Sequence, residues 1–272
     1  MPVIIIKFKQ RYNREKNNLM VEIDKEKHIL HHPSLISFWD FQEAPGKPRV
    51  AKGPYPYILK EAGGPVDRIA EGIWGKYSAH MQPGKWFSIP RSQCPALDIH
   101  GPQAQLTILA WIKREAKTVQ TGECQAVAGI WNESRKQRQY CLFIDLRIHD
   151  SQDQACGHVS SVGGPTPGYP YCMDAAIGKT PLGIGEWHYL AFTYDSEYSR
   201  IFLDGRLDTR EQLNPYAYKG GLYNGGPQGA DFTVGAVDRS GEIGNWFTGL
   251  IGGLAVFNRA ISTAEIKQMR RF

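Results

Sequence analysis

The sequence predicts an all-β protein: a two-sheet antiparallel jelly-roll sandwich with one short C-terminal helix. Two observations lead there. Roughly ten short apolar runs, several alternating with period two, are separated by turn residues. The 29 Gly and 17 Pro of this 272-residue chain supply those turns, and no long amphipathic pattern interrupts the strands. No fixed-period repeat is visible, which excludes propellers and solenoids.

The elements follow in order. Residues 1–30 read as an N-terminal extension or arm, with a basic polar stretch at Arg11–Asn18 and an edge strand or arm over Val21–Ile29. The sandwich domain is assigned to residues 31–272. Its first strand is Leu35–Phe41, ended by Ala44-Pro45-Gly46. A Pro/Gly-rich connection runs through Pro65 to a short strand at Trp86–Pro90. Leu106–Ile112 is a strong strand stopped by Lys113 and Arg114. Ala126–Trp131 and Tyr140–Ile148 form a hairpin, with Ala155–Val162 beside it. Gly163–Gly185 is read as irregular. In His188–Tyr194, Leu190, Phe192 and Tyr194 share one face. Asp204-Gly205 after Arg200–Leu203 is a tight hairpin turn. Phe232–Gly235 and Leu250–Phe257 complete the sheets. Ser262 caps the final helix with Glu265 three residues on, a capping box, and Ile266 and Met269 share its buried face.

Composition narrows the function classes. The net charge is +5 but Lys and Arg are scattered, so no basic stripe marks a nucleic-acid binder. An acidic polysaccharide partner is compatible with that charge. No run approaches the roughly 20 apolar residues of a membrane span. Val3–Ile6 is too short for the apolar part of a signal peptide, and localisation is left open. The five cysteines leave at least one thiol outside any intrachain bridge. Cys156 and Cys172 bracket the irregular loop, where a staple and two reduced thiols both stand as readings. The absence of C-x-x-C excludes a zinc ribbon.

Four segments together resemble the laminin-G-like (LamG-like) branch of the concanavalin A-like lectin/glucanase folds. Trp187–Asp195 with Arg200–Gly205 resembles that family's central hairpin. Phe247–Ser262 resembles its last strand and the Asn-Arg-Ala entry into a helix. Leu35–Glu43 resembles the first strand, and Leu106–Ile112 the Thr-x-x-x-Trp-Ile strand. The resemblance spans residues 34–272 and implies the sandwich, a setting that is usually extracellular or periplasmic, and carbohydrate binding or adhesion. It does not fix function, because one fold hosts many activities. Calcium is common in such sandwiches, but relatives often place an Asp where this chain has Gly252-Gly253, so that site is doubted here. Asp40 and Glu43 remain alternative ligands.

Sugar binding asks for aromatic faces and planar polar groups in loops on a rigid scaffold. The candidates are Trp74, Tyr77, Trp131, Asn132, Arg135, Tyr169, Tyr171, Asp238, Arg239 and Trp246, with Tyr216, Tyr218, Tyr223 and Asn245 nearby in sequence. A hydrolase or lyase on the same sandwich is the alternative, with His149, His158, Tyr169 and Tyr171 as acid–base candidates and Asp150 and Asp153 beside them. Glu22, Asp24 and Glu26 fit E-x-D-x-E, a trio that laminarinase-type hydrolases carry mid-chain. Here it precedes the first sandwich strand, and a solvated charged segment is the better account. His28, His31 and His32 cluster without an acidic or Cys partner in sequence, and read as ordinary surface histidines. A protein–protein interaction domain is a third reading.

Overall fold

The computed structural model describes residues 25–117, 123–239 and 241–272. Two antiparallel sheets pack face to face. Among the described residues, one has nine strands and the other eight. The nine-stranded sheet runs Arg206–Leu207, Tyr198–Leu203, Trp187–Tyr194, Leu106–Arg114, Gly249–Phe257, Ser78–Met81 and Asp67–Ile69. Leu35–Trp39 also pairs with Gly249–Phe257, and Tyr216–Ala217 with Tyr198–Leu203. The eight-stranded sheet runs Ala175–Pro181, Gln154–Val159, Tyr140–Ile144, Gln125–Ile130, Phe232–Val234, Trp86–Ile89, Ile58–Ala62 and Arg49–Val50. A separate hairpin pairs Val237–Arg239 with Glu242–Gly244.

Alternation sorts the side chains into layers. Ile108, Ala110, Ile112, Leu190, Phe192 and Tyr194 join Leu142, Ile144, Phe232 and Val234 in the core between the sheets. The opposite side of the nine-stranded sheet carries Leu109, Trp111, Tyr189, Ala191 and Phe257, which pack with Ile266 and Met269 of the helix Thr263–Met269 and with Ile29. Its central strands are therefore apolar on both faces, which explains the unbroken run at Leu106–Ile112. The outer side of the eight-stranded sheet carries Ala126, Cys141, Phe143, Cys156, Ala175 and Ile177, packed with Trp131, Cys172 and Val237. No helix covers this side among the described residues, and a cavity opens here.

The turn and cap chemistry matches expectation. Asp204 and Gly205 take φ of 51° and 80°, the left-handed pair that a tight hairpin needs. Ser262 and Glu265 form the reciprocal capping box.

Two expectations are corrected, and one of two open readings is selected. Residues 25–30 are helical, not an edge strand, and Ile29 is fully buried in the layer behind the nine-stranded sheet. The segment Lys-Glu-Lys-His-Ile-Leu is rich in helix formers and needs only one anchoring face. The supposedly irregular Gly163–Gly185 contains the strand Ala175–Pro181, at the sheet edge, where Ala and Gly give little β signal. Cys156 and Cys172 are free thiols, as are the other three cysteines. Cys156 Sγ donates to the Gln154 carbonyl at 3.4 Å and Cys172 Sγ to that of Val159 at 3.7 Å.

Candidate functional site

A cavity of about 320 Å³ opens on the outer side of the eight-stranded sheet. Strand register builds its floor. Cys141 lies opposite His158 and Phe143 opposite Cys156, so these side chains share one face. Trp131, at the end of Gln125–Ile130, and Cys172, from the loop before Ala175–Pro181, close the floor. Glu123, Glu133, Arg138 and Arg239 bring charge to the lining. Leu146, Arg147, Ile148, Tyr171, Asn245 and Cys124 complete it.

His158 is the chemically distinctive group. Its ring stacks on Trp131 with centroids 4.8 Å apart and 29° between planes, and meets Phe143 edge-on at 5.5 Å. Nδ1 lies 3.0 Å from the Asp174 carbonyl, which can only accept, so Nδ1 carries the proton. Burial pushes the imidazole pKa down to about 4, and Arg138 and His149 push the same way. At neutral pH the ring is uncharged and Nε2 offers a bare lone pair.

The charges around it are matched in pairs. Glu123 is bound to Arg239 and accepts the Asn245 N–H at 3.2 Å. Glu133 accepts from Trp131 Nε1 at 3.1 Å and faces Arg138 at 3.6 Å. Arg147 and Lys117 share Asp145, at 3.1 and 2.9 Å. Burial pushes the Asp145 carboxyl up, but these two cations outweigh it and hold it below its ordinary value. The loop at the cavity mouth is strained. Asp145, Arg147, His149, Asp150 and Asp153 all take φ between 52° and 65°. For Arg147 and His149 this left-handed conformation costs on the order of 1 kcal/mol each.

A second depression of about 210 Å³ adjoins the cavity, because Glu123 and Cys124 line both. Trp246 lines it, with Trp86 against that ring at 5.5 Å.

The structure divides the sequence candidates. Trp131, His158, Tyr171 and Arg239 line the cavity, and Asn245 joins them. Asp238 holds Asn132 at 3.0 Å, which pins the Trp131 loop to the small hairpin. Arg135 is exposed, and its N–H donates to Asn132 Oδ1 at 2.8 Å. Tyr169 is 55% exposed in the same loop as Tyr171 but does not line the cavity. His149 is exposed, its Nε2 3.3 Å from the Met173 carbonyl, and stands outside the lining. Trp74 is turned away altogether: it is buried against Phe38 and Trp111 behind the other sheet. Tyr77 is covered by Arg68, 3.9 Å above its ring. Tyr216 and Tyr218 spend their hydroxyls on Asp174 and Ser161. Glu123, Glu133, Phe143 and Arg147 were not singled out. Only the polar loop beside Trp131 hinted at Glu133.

Glu22 and Asp24 lie outside the described residues, and Glu26 pairs with Lys52 at 2.7 Å. His32 is tied to Glu265 at 3.0 Å and to Ser34 Oγ at 2.9 Å. Among the described residues no three His, Cys, Asp or Glu gather as a metal site. A side chain on Gly252 or Gly253 would meet Ile73 at 2.7 Å or Trp74 at 2.6 Å. Asp40 pairs with Lys52 at 2.7 Å, and Glu43 accepts the Val50 N–H at 2.8 Å.

A family model described as the concanavalin A-like lectin/glucanases superfamily matches residues 92–267. No curated protein matches by sequence. Domain 4 of AbnA, an extracellular GH43 arabinanase from Geobacillus stearothermophilus solved with arabinotriose, is similar in fold. It is 14% identical at a TM-score of 0.56, over 87% of this chain and 98% of that one. Trypanosoma rangeli sialidase with 2,3-difluorosialic acid is 12% identical at 0.53, over 95% of this chain but only 38% of the sialidase. The receptor binding domain of botulinum neurotoxin mosaic serotype C/D is 11% identical at 0.52, over 86% of this chain and 49% of that one. At such identities the likeness is one of fold.

Proposed function

Because the chain belongs to the concanavalin A-like lectin/glucanase superfamily, we propose that it binds a carbohydrate chain, without cleaving it, in the cavity on the outer side of the eight-stranded sheet. The observation that carries this is the cavity lining. An aromatic floor of Trp131 and Phe143 stands beside a neutral His158 and the exposed ring of Tyr171. Sugars present C–H faces that stack on rings and hydroxyls that donate to a neutral acceptor.

The carboxylates argue against hydrolysis. A glycosidase needs one carboxyl protonated as acid and a second free as base or nucleophile. Glu123 and Glu133 are each engaged with an arginine. The same pairing leaves little net charge at the lining, which favours a neutral sugar over the acidic polysaccharide with which the chain's overall charge is compatible. The arabinotriose in the AbnA domain makes arabino-oligosaccharides reasonable first probes.

One observation supports a second reading, a lyase. His158 is kept neutral beside Tyr171, the pairing of base and acid that β-elimination uses. A glycan array identifies ligands. Each hit is then incubated with the protein and assayed for new reducing ends and unsaturated uronate absorbance. Binding without product supports the proposal; product overturns the non-enzymatic claim.

A further inference from the structure

Away from the cavity, the Asp204-Gly205 turn packs onto the C-terminal helix. A Cβ on Gly205 would stand 3.5 Å from Lys267 Cα and 3.6 Å from Arg270 Cδ. The contact brings cations from three segments to one depression of about 350 Å³: Lys25 before the sandwich, Arg206 after the turn, and Lys267 and Arg270 at the helix end. Among the described residues none of the four forms a salt bridge. The cavity on the eight-stranded sheet is the opposite case, since there each arginine has its carboxylate.

Among the described residues Asp204 is the one acidic side chain in this lining, which Phe272 completes, and it is already engaged. Its Oδ1 accepts the Tyr189 N–H at 3.0 Å, and its Oδ2 faces His188 Nδ1 at 3.9 Å. Asp208, in the adjoining depression, accepts from the Thr180 amide and hydroxyl at 3.0 and 2.8 Å. Among the described residues, four positive side chains thus share a concave surface with one carboxylate side chain, Asp204, with which Arg270 interacts. Like charges held together repel, and an anion between them removes that repulsion.

We propose that Lys25, Arg206, Lys267 and Arg270 form a binding site for a phosphate- or sulfate-type oxyanion. Guanidinium groups match such oxygens as paired donors, and ammonium groups add compact charge. The site is independent of the carbohydrate reading.

The test is a heteronuclear NMR titration of the full chain with sodium phosphate, against sodium chloride at equal ionic strength. Saturable shifts at the turn and helix end are expected with phosphate only. Arg206→Gln and Lys267→Gln, both on exposed side chains, should each weaken binding roughly twofold to fivefold, the range for one exposed ion pair. Lys136→Gln, at an exposed position in the loop after Trp131, should leave it unchanged. A parallel titration with glucose 6-phosphate tells a free ion from an ester: the tighter probe names the source. Phosphate shifts no larger than those of chloride overturn the proposal, as does a doubly substituted Arg206→Gln/Lys267→Gln chain that binds phosphate like the parent.

Discussion

His158 lies face to face with Trp131, ring centroids 4.8 Å apart, while its Nδ1–H is held by the Asp174 carbonyl. The stack makes the imidazole part of a dry floor, and its protonation there is opposed by burial. The consequence is a pH dependence of known sign. The native pKa, about 4, is below the ordinary 6.5, so the unfolded chain binds this proton first as pH falls. Stability is intact above 6.5, falls as pH drops towards 4, and levels below it with respect to this group. The loss approaches about 3 kcal/mol for a shift of that size. Urea unfolding from pH 7 to pH 4 should show this slope, and His158→Phe should flatten it. An NMR titration placing the His158 midpoint near 6.5 would contradict the burial argument.

Tyr171 and Trp131 separate binding from folding. Tyr171 is 66% exposed, so Tyr171→Ala should leave stability within about 0.5 kcal/mol. If the ring stacks on sugar, affinity should fall roughly tenfold, the worth of one aromatic contact. Trp131 is 2% exposed, and Trp131→Ala should destabilise by about 3–5 kcal/mol whether or not a sugar binds. Calorimetric titration with an array hit, beside thermal melts, reads both. Unchanged affinity in Tyr171→Ala would remove that ring from the site.

These residues show what a sequence can and cannot reveal. Leu190, Phe192 and Tyr194 alternate, and Asp204-Gly205 must turn, so the central hairpin was readable from local pattern. The cavity lining was half readable. Trp131, His158 and Tyr171 were named as chemically suited, but so was Trp74, which packs behind the other sheet. Aromatic identity is the same in both places; only the register, which sets one face of a strand against the other, tells them apart. Glu123 and Glu133 escaped notice because their partners, Arg239 and Arg138, are fixed by tertiary contact rather than by spacing.

Carbohydrate binding should not depend on calcium. Gly252 and Gly253 sit under Ile73 and Trp74 with no space for a carboxylate, Asp40 is paired with Lys52, and Glu43 offers only Oε2, since its Oε1 accepts the Val50 N–H. Affinity for an array hit should therefore be the same in EDTA as in added calcium. Loss of binding in EDTA, restored by calcium, would show that other oxygen ligands assemble a site.

The two sheets approach closely at Gly157, which is expected to set their spacing. This residue lies in Gln154–Val159, and a Cβ there would stand 2.3 Å from the Phe192 ring of the facing sheet. Phe192 is fully buried among the core side chains and has no open space to swing into. The Gly157 carbonyl is also fixed, accepting from Ser199 Oγ at 3.1 Å. Gly157→Ala therefore forces the sheets apart or the ring off its rotamer, and should cost about 1–3 kcal/mol. Because the strain is between two named groups, it should not add independently. Phe192→Leu alone leaves a void, yet in the Gly157→Ala background it makes space for the new methyl, so the double variant should be more stable than the sum of the two losses predicts. Urea unfolding of the parent, both single variants and the double measures this coupling. Strict additivity would mean that the clash is relieved elsewhere and that Gly157 does not set the spacing.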